Sequence, residues 1–198
     1  MKTRSFVTVA LAAVLAASAS ALATGKPGGV TIGQPVADFK LPDADGKDHS
    51  LSTLKGEKGT VIIFISVQCP MVRAYNERIA KLAEDYRARG VNVVGINSNV
   101  KELAPEVKSH AAEKGLKFTI LKDTGNVVAD SFDAQVTPEA YLIDASGKLV
   151  YRGRIDNSRN ADGVSASELR DAIEATLAGK PVEKSEVKAF GCSIKRVS

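Results

Sequence analysis

The sequence predicts an α/β fold: a mixed central β-sheet flanked by helices, built as a sandwich of layers. Three observations carry that expectation. Two seven-residue runs, TVIIFIS over 60–66 and VNVVGIN over 91–97, are rich in β-branched residues and have the near-continuous apolar character of strands buried on both faces. Between them, apolar residues step by 3, 4, 3 and 4 through Val72, Tyr75, Ile79, Leu82 and Tyr86, which is one face of a helix. The alternation of strand and helix patterns then continues to a closing strand pair and a last helix, an order that suits a sheet with helices packed against it.

Residues 1–23 read as a leader. Lys2 and Arg4 precede an apolar core from Phe6 to Ala17, and Ala21-Leu22-Ala23 has the small-x-small pattern of a signal-peptidase site. The core is too short and too rich in alanine for a membrane span, which needs about 20 apolar residues. The expectation is a cleaved signal, a mature chain starting near Thr24 and no membrane span after cleavage. The destination is then periplasmic or otherwise extracytoplasmic. The leader carries two bases and no acid, so removing it lowers the net charge from +4 to +2. That near balance gives no reason to expect a nucleic acid or an anionic membrane as partner.

The rest divides into a flexible Gly/Pro-rich lead-in (24–29), one domain (30–178) and a tail (179–198). VADFKLPDADGKDHSLSTL alternates apolar and polar residues around Asp45-Gly46 and reads as a hairpin. The helix after Cys69 is ended by Gly90. EVKSHAAEKG is a helix with a glycine stop, KFTIL a short strand and NVVADSF a short helix. AYLID and LVYRGRI, joined across Gly147, form an antiparallel pair. ASELRDAIEATLAG is the last helix, with Leu169, Ile173 and Leu177 inward. The tail, KPVEKSEVKAFGCSIKRVS, keeps no period and reads as extended.

The chain has two cysteines, Cys69 and Cys192, and two isolated histidines, His49 and His110, which read as surface residues. No Cys/His cluster has zinc spacing, and no metal or organic cofactor is implied. Two cysteines in an exported chain can form a structural disulfide. The placement of Cys69 suggests more. In ISVQCPMVRAY an apolar strand ends, Cys69 follows, and Pro70 occupies the first helical turn, where proline is best tolerated. Cys69 is then an N-cap residue facing unpaired backbone N–H groups and the positive end of the helix dipole, a setting that stabilises a thiolate. Arg73, one turn on, adds a positive charge to the same face. On the residues alone, the reactive and structural readings both stand.

Four segments in a fixed order add a resemblance: GQPVADFKLPDADGKDHSLSTLKG, IIFISVQC, VTPEAYLID and GKLVYRGRID. Over 30–178 the chain resembles the thioredoxin-like superfamily, and within it the exported redoxin group that spans AhpC/TSA and TlpA-like proteins. The resemblance implies a thioredoxin-like sandwich with an N-terminal hairpin, and Cys69 as a nucleophile toward disulfides or peroxides. It implies that Pro138 is a cis-proline and that Thr137 offers its backbone to substrate. Where a thioredoxin has its second cysteine this chain has Val72, and where it has a buried acid this chain has Ile63. Ser66 matches the hydroxyl position of peroxiredoxins and would support the thiolate, but their proline position is Ile62. Arg152 and Arg154 are the candidates for the arginine those enzymes carry. AFGCSIKR resembles the end of exported redoxins with a C-terminal Gly-Cys motif, which makes Cys192 the resolving thiol. At about 3.3 Å per residue the tail is long enough to reach Cys69.

The function implied is an exported thiol-disulfide oxidoreductase acting on a protein or small-molecule disulfide and recycled by an external thiol reductant. The alternatives are a thiol peroxidase that takes a hydroperoxide, and a non-catalytic thioredoxin-fold binding module with a structural Cys69–Cys192 disulfide.

Overall fold

A computed structural model describes residues 29–197. The predicted signal segment (1–23) and nearly all of the lead-in fall outside the described residues. Among the described residues, no helix is long and apolar enough to cross a membrane.

A hairpin, β1 (Lys40–Pro42) and β2 (Asp48–Ser50), opens the fold, with Gly46 at φ +81° in its turn. Its strands are shorter than the alternating pattern predicts. Ser50 caps a one-turn helix, α1 (Leu51–Leu54): the Thr53 N–H donates to Ser50 Oγ and the Ser50 N–H to Thr53 Oγ1. Local serine and threonine capping overrides the two-residue period there.

The main sheet contains β3 (Gly59–Ile65), β4 (Val91–Asn97), β5 (Thr119–Lys122), β7 (Glu139–Asp144) and β8 (Leu149–Gly153), in the order β5-β4-β3-β7-β8. Strands β3, β4 and β5 run parallel, while β7 is antiparallel to β3 and to β8. All seven residues of the central strand β3 are buried. The two-residue strand period sends Val61, Ile63 and Ile65 to one core and Ile62 and Phe64 to the other. The first core is closed by Val72, Tyr75, Ile79, Leu82 and Tyr86 of α2 (Pro70–Arg87), by Val107 of α3 (Ala104–Glu113) and by Leu169 and Ile173 of α5 (Glu168–Leu177). In the second, Phe132 of α4 (Val127–Phe132) lies edge-on to Phe39, Phe64 and Tyr141 at centroid separations of 6.2, 5.8 and 5.0 Å. The histidines are half-buried rather than freely exposed: His49 Nε2 lies 2.8 Å from Asp43 Oδ2, and His110 bonds Asn76.

One further sheet of two strands joins β6 (Val136–Thr137) to β9 (Cys192–Ser193) in the tail. The tail is therefore extended, as expected, but it is also paired.

Candidate active site

Strand β3 ends at Ile65, and Ser66–Gln68 carry the chain to Cys69, the N-cap of α2, in extended backbone (φ −74°, ψ 118°) with Pro70 in the first turn. The Arg73 N–H donates to the Cys69 carbonyl at 3.1 Å, so the helical ladder starts at this residue. Cys69 is buried and forms a disulfide with Cys192 across a Cα–Cα distance of 5.9 Å. Its Sγ also lies 3.3 Å from the Thr137 carbonyl oxygen. The Thr137–Pro138 peptide bond is cis. The joint thus brings Cys69, Cys192 and Thr137 together.

The loop before Cys69 is held by a residue that sequence reasoning missed. Glu102, almost wholly buried, accepts at Oε1 from the Ser66 hydroxyl (2.5 Å), the Gln68 N–H (3.0 Å) and Asn99 Nδ2 (3.2 Å). At Oε2 it accepts from the Val67 N–H (3.0 Å) and Asn97 Nδ2. Burial pushes the Glu102 carboxyl up, but the bonds from Ser66, Asn97, Val67 and Gln68 together outweigh it and hold the group below its ordinary value. Behind this carboxylate, Lys122 donates to Asn97 Oδ1 (2.8 Å) and to the Asn99 carbonyl (2.7 Å). Burial pushes the Lys122 ammonium down, opposed by Glu102 and Asp123. No motif announces Glu102: it acts on Ser66 from 36 residues away.

With the disulfide formed, the predicted supporting residues Ser66 and Arg73 contact the backbone around Cys69. The one hydroxyl proton of Ser66 goes to Glu102, and its oxygen accepts the Cys69 N–H at 3.2 Å. In this disulfide form Ser66 thus orients the backbone of Cys69. The Arg73 guanidinium is bonded through Nε to the Val67 carbonyl at 3.1 Å, bracing the loop from outside. Arg152 pairs with Glu186 and Arg154 with Glu168. Val72 and Ile63, at the positions where a thioredoxin has its second cysteine and its acid, are both core residues.

The tail reaches the site along a long track. Ser185 and Val187 bond the backbone of Arg152 in β8. Cys192 then pairs with Thr137 and Ser193 with Val136. Beyond them the Ile194 N–H donates to the Gln135 carbonyl, the Lys195 N–H to Asn99 Oδ1 (2.7 Å) and the Val197 N–H to Asn126 Oδ1 (2.8 Å). Asn99 therefore touches both the Glu102 carboxylate and the tail. Gly191 leaves no room for a side chain, because a Cβ there would sit 2.0 Å from the Thr137 carbonyl oxygen.

Residues 32–152 match the model of the AhpC/TSA family. The thiol-disulfide oxidoreductase ResA of Halalkalibacterium halodurans is 30% identical over 118 residues, which are 60% of this chain and 65% of that protein. The match thus spans slightly less than two thirds of that relative. Chloroplastic peroxiredoxin Q of Sedum lineare is 29% identical over 142 residues, covering 67% of this chain and 75% of that one. A crystal structure of a hypothetical protein from Sinorhizobium meliloti superimposes with a TM-score of 0.79 at 36% identity, covering 86% of this chain and 97% of that chain. The family match covers more than half the chain and the fold agrees with it: the chain belongs to the AhpC/TSA family and is a thioredoxin-like redoxin.

Proposed function

We propose that this protein is an exported thiol-dependent oxidoreductase that exchanges disulfides, with Cys69 as nucleophile and Cys192 as resolving thiol. The observation that carries the reading is the Cys69–Cys192 disulfide at the start of α2, against Thr137 and the cis-Pro138. The leader sequence supports export.

In the reduced protein the Cys69 thiolate attacks one sulfur of a substrate disulfide. A Cys69–substrate S–S bond forms, and the other substrate sulfur leaves as a thiolate with the electron pair. The Cys192 thiolate then attacks Cys69 Sγ, the Cys69–Cys192 bond forms, and the second substrate sulfur leaves. Two electrons pass to the substrate, and an external thiol reductant returns them. The helix N-terminus favours the thiolate at Cys69. Glu102 and Ser66 keep the Cys69 backbone in place through these steps.

Similarity to a peroxiredoxin over 67% of the chain supports a second reading, reduction of a hydroperoxide. In that reaction Cys69 becomes a sulfenic acid as an alcohol or water leaves, and Cys192 displaces water to give the same disulfide.

The test is an intact mass and non-reducing peptide map of the reduced protein after one equivalent of either oxidant. Rapid closure of Cys69–Cys192 with a disulfide but not with hydrogen peroxide is the expected result. Closure at comparable or higher rate with peroxide selects the peroxidase. Failure with both overturns the catalytic reading and leaves the disulfide as a staple of the tail.

A further inference from the structure

The tail lies on the site in the manner of a bound strand. Its residues 191–194 use the backbone of Gln135–Thr137, place a sulfur on Cys69 and direct their neighbours into two distinct environments. At the position before the cysteine, Gly191 lies against the Thr137 carbonyl so closely that even a methyl group would overlap it. Two residues after the cysteine, Ile194 is buried in the same apolar cluster as Leu121, Val128 and Phe132.

We infer that the tail is an internal copy of the segment this protein accepts. The partner would be a polypeptide presenting an extended strand with glycine directly before its cysteine and an aliphatic side chain two residues after it. The strand would pair with Val136–Thr137 in the register that Cys192 and Ser193 now occupy. The inference rests on the disulfide-exchange reading and adds its specificity.

Mutual exclusion follows, because one backbone edge holds one strand. While Cys69 and Cys192 are joined, the edge is closed to any partner. Reduction removes the covalent tether and leaves a tail held by hydrogen bonds, which competes as a tethered ligand at an effective concentration on the order of millimolar. A protein strand must displace residues 191–194 before it can pair there.

The test uses the full-length chain with Cys192→Ser, so that Cys69 is the sole thiol. The probes are two seven-residue peptides with this protein's sequence from 189 to 195, one natural and one with alanine in place of the glycine. Each carries its cysteine as the mixed disulfide with thionitrobenzoate. The Cys69 thiolate attacks the peptide sulfur, the Cys69–peptide bond forms, and thionitrobenzoate leaves as a coloured thiolate. A simple aromatic disulfide without a peptide serves as the control.

The expected result is that the glycine peptide reacts about tenfold or more faster than the alanine peptide. Adding Gly191→Ala to the protein should raise the glycine-peptide rate about threefold or more, since the altered tail no longer competes for the edge. Equal rates for the two peptides, with normal reaction of the control disulfide, overturn the docking inference and leave disulfide exchange standing. An unchanged rate on Gly191→Ala overturns the exclusion by the tail. No reaction of Cys69 with any of the three disulfides overturns the exchange reading and this inference together.

Discussion

Replacing Glu102 by glutamine tests the architecture of the site with almost no change of shape. All five groups that face the carboxylate are donors: the Ser66 hydroxyl, the Val67 and Gln68 N–H groups, Asn97 Nδ2 and Asn99 Nδ2. A glutamine amide turns its own NH2 toward one set of them. Toward Val67 and Asn97 it loses a backbone partner, and Asn97 can adapt only by releasing Lys122, which now donates to its Oδ1 at 2.8 Å. Toward Ser66, Gln68 and Asn99 it opposes three donors, and the Gln68 N–H and Asn99 Nδ2 lose their acceptor. At least two bonds to a charged acceptor disappear in either orientation. At about 1.5–3 kcal/mol each, the variant loses about 3–6 kcal/mol, a large part of the 5–15 kcal/mol typical of a folded domain. Denaturant unfolding of the oxidised protein at neutral pH should show a lower midpoint with an unchanged slope. The reduced variant should also react more slowly at Cys69, whose N–H is oriented through Ser66. A loss under about 1 kcal/mol with unaltered Cys69 reactivity would refute the argument that Glu102 positions the loop.

The same carboxylate sets a pH dependence. Its folded pKa is depressed, so its contribution is complete above the unfolded value of about 4.3 and is lost as pH falls through the folded value. The stability gap between the natural protein and Glu102→Gln should therefore be constant near neutral pH and narrow below that range, as measured by unfolding midpoints in a pH series. Cys192→Ser opens a cross-link spanning 123 residues, and on the loop-entropy model it should cost about 4–5 kcal/mol. The difference from the natural protein should vanish when both are unfolded under reductant. Gly153→Ala places a Cβ about 2.1 Å from the Val187 carbonyl at a backbone φ of +148°, so the stretch 185–187 should lift from β8. Limited proteolysis should then cut the tail while the domain stays intact, and an uncut tail would count against the close contact. Phe132→Ala removes the ring common to three edge-on aromatic pairs and should cost about 3–5 kcal/mol in the same unfolding assay.

The sheet-and-helix alternation, the burial of β3 and the position of Cys69 at the start of α2 are legible in the residues alone. Each of these is written in local terms: the two-residue strand period, the 3–4 steps from Val72 to Tyr86, and a proline whose fixed φ suits a first helical turn. Pro138 and Cys192 were legible through resemblance, since their meaning depends on segments far apart in the chain. The short helix α1 was hidden because SLSTL fits both an alternating strand and a serine-capped turn, and the cap bonds of Ser50 and Thr53 decided between them. Glu102 under the Cys69 loop, the Ser66 proton directed to Glu102 and residues 191–194 laid along Gln135–Thr137 are products of the tertiary structure. Those contacts join residues 36 and 55 apart in the chain. A buried carboxylate or an edge strand found across such distances satisfies backbone groups that have no partner within their own segment, and that need leaves no periodic mark on the segment that supplies it.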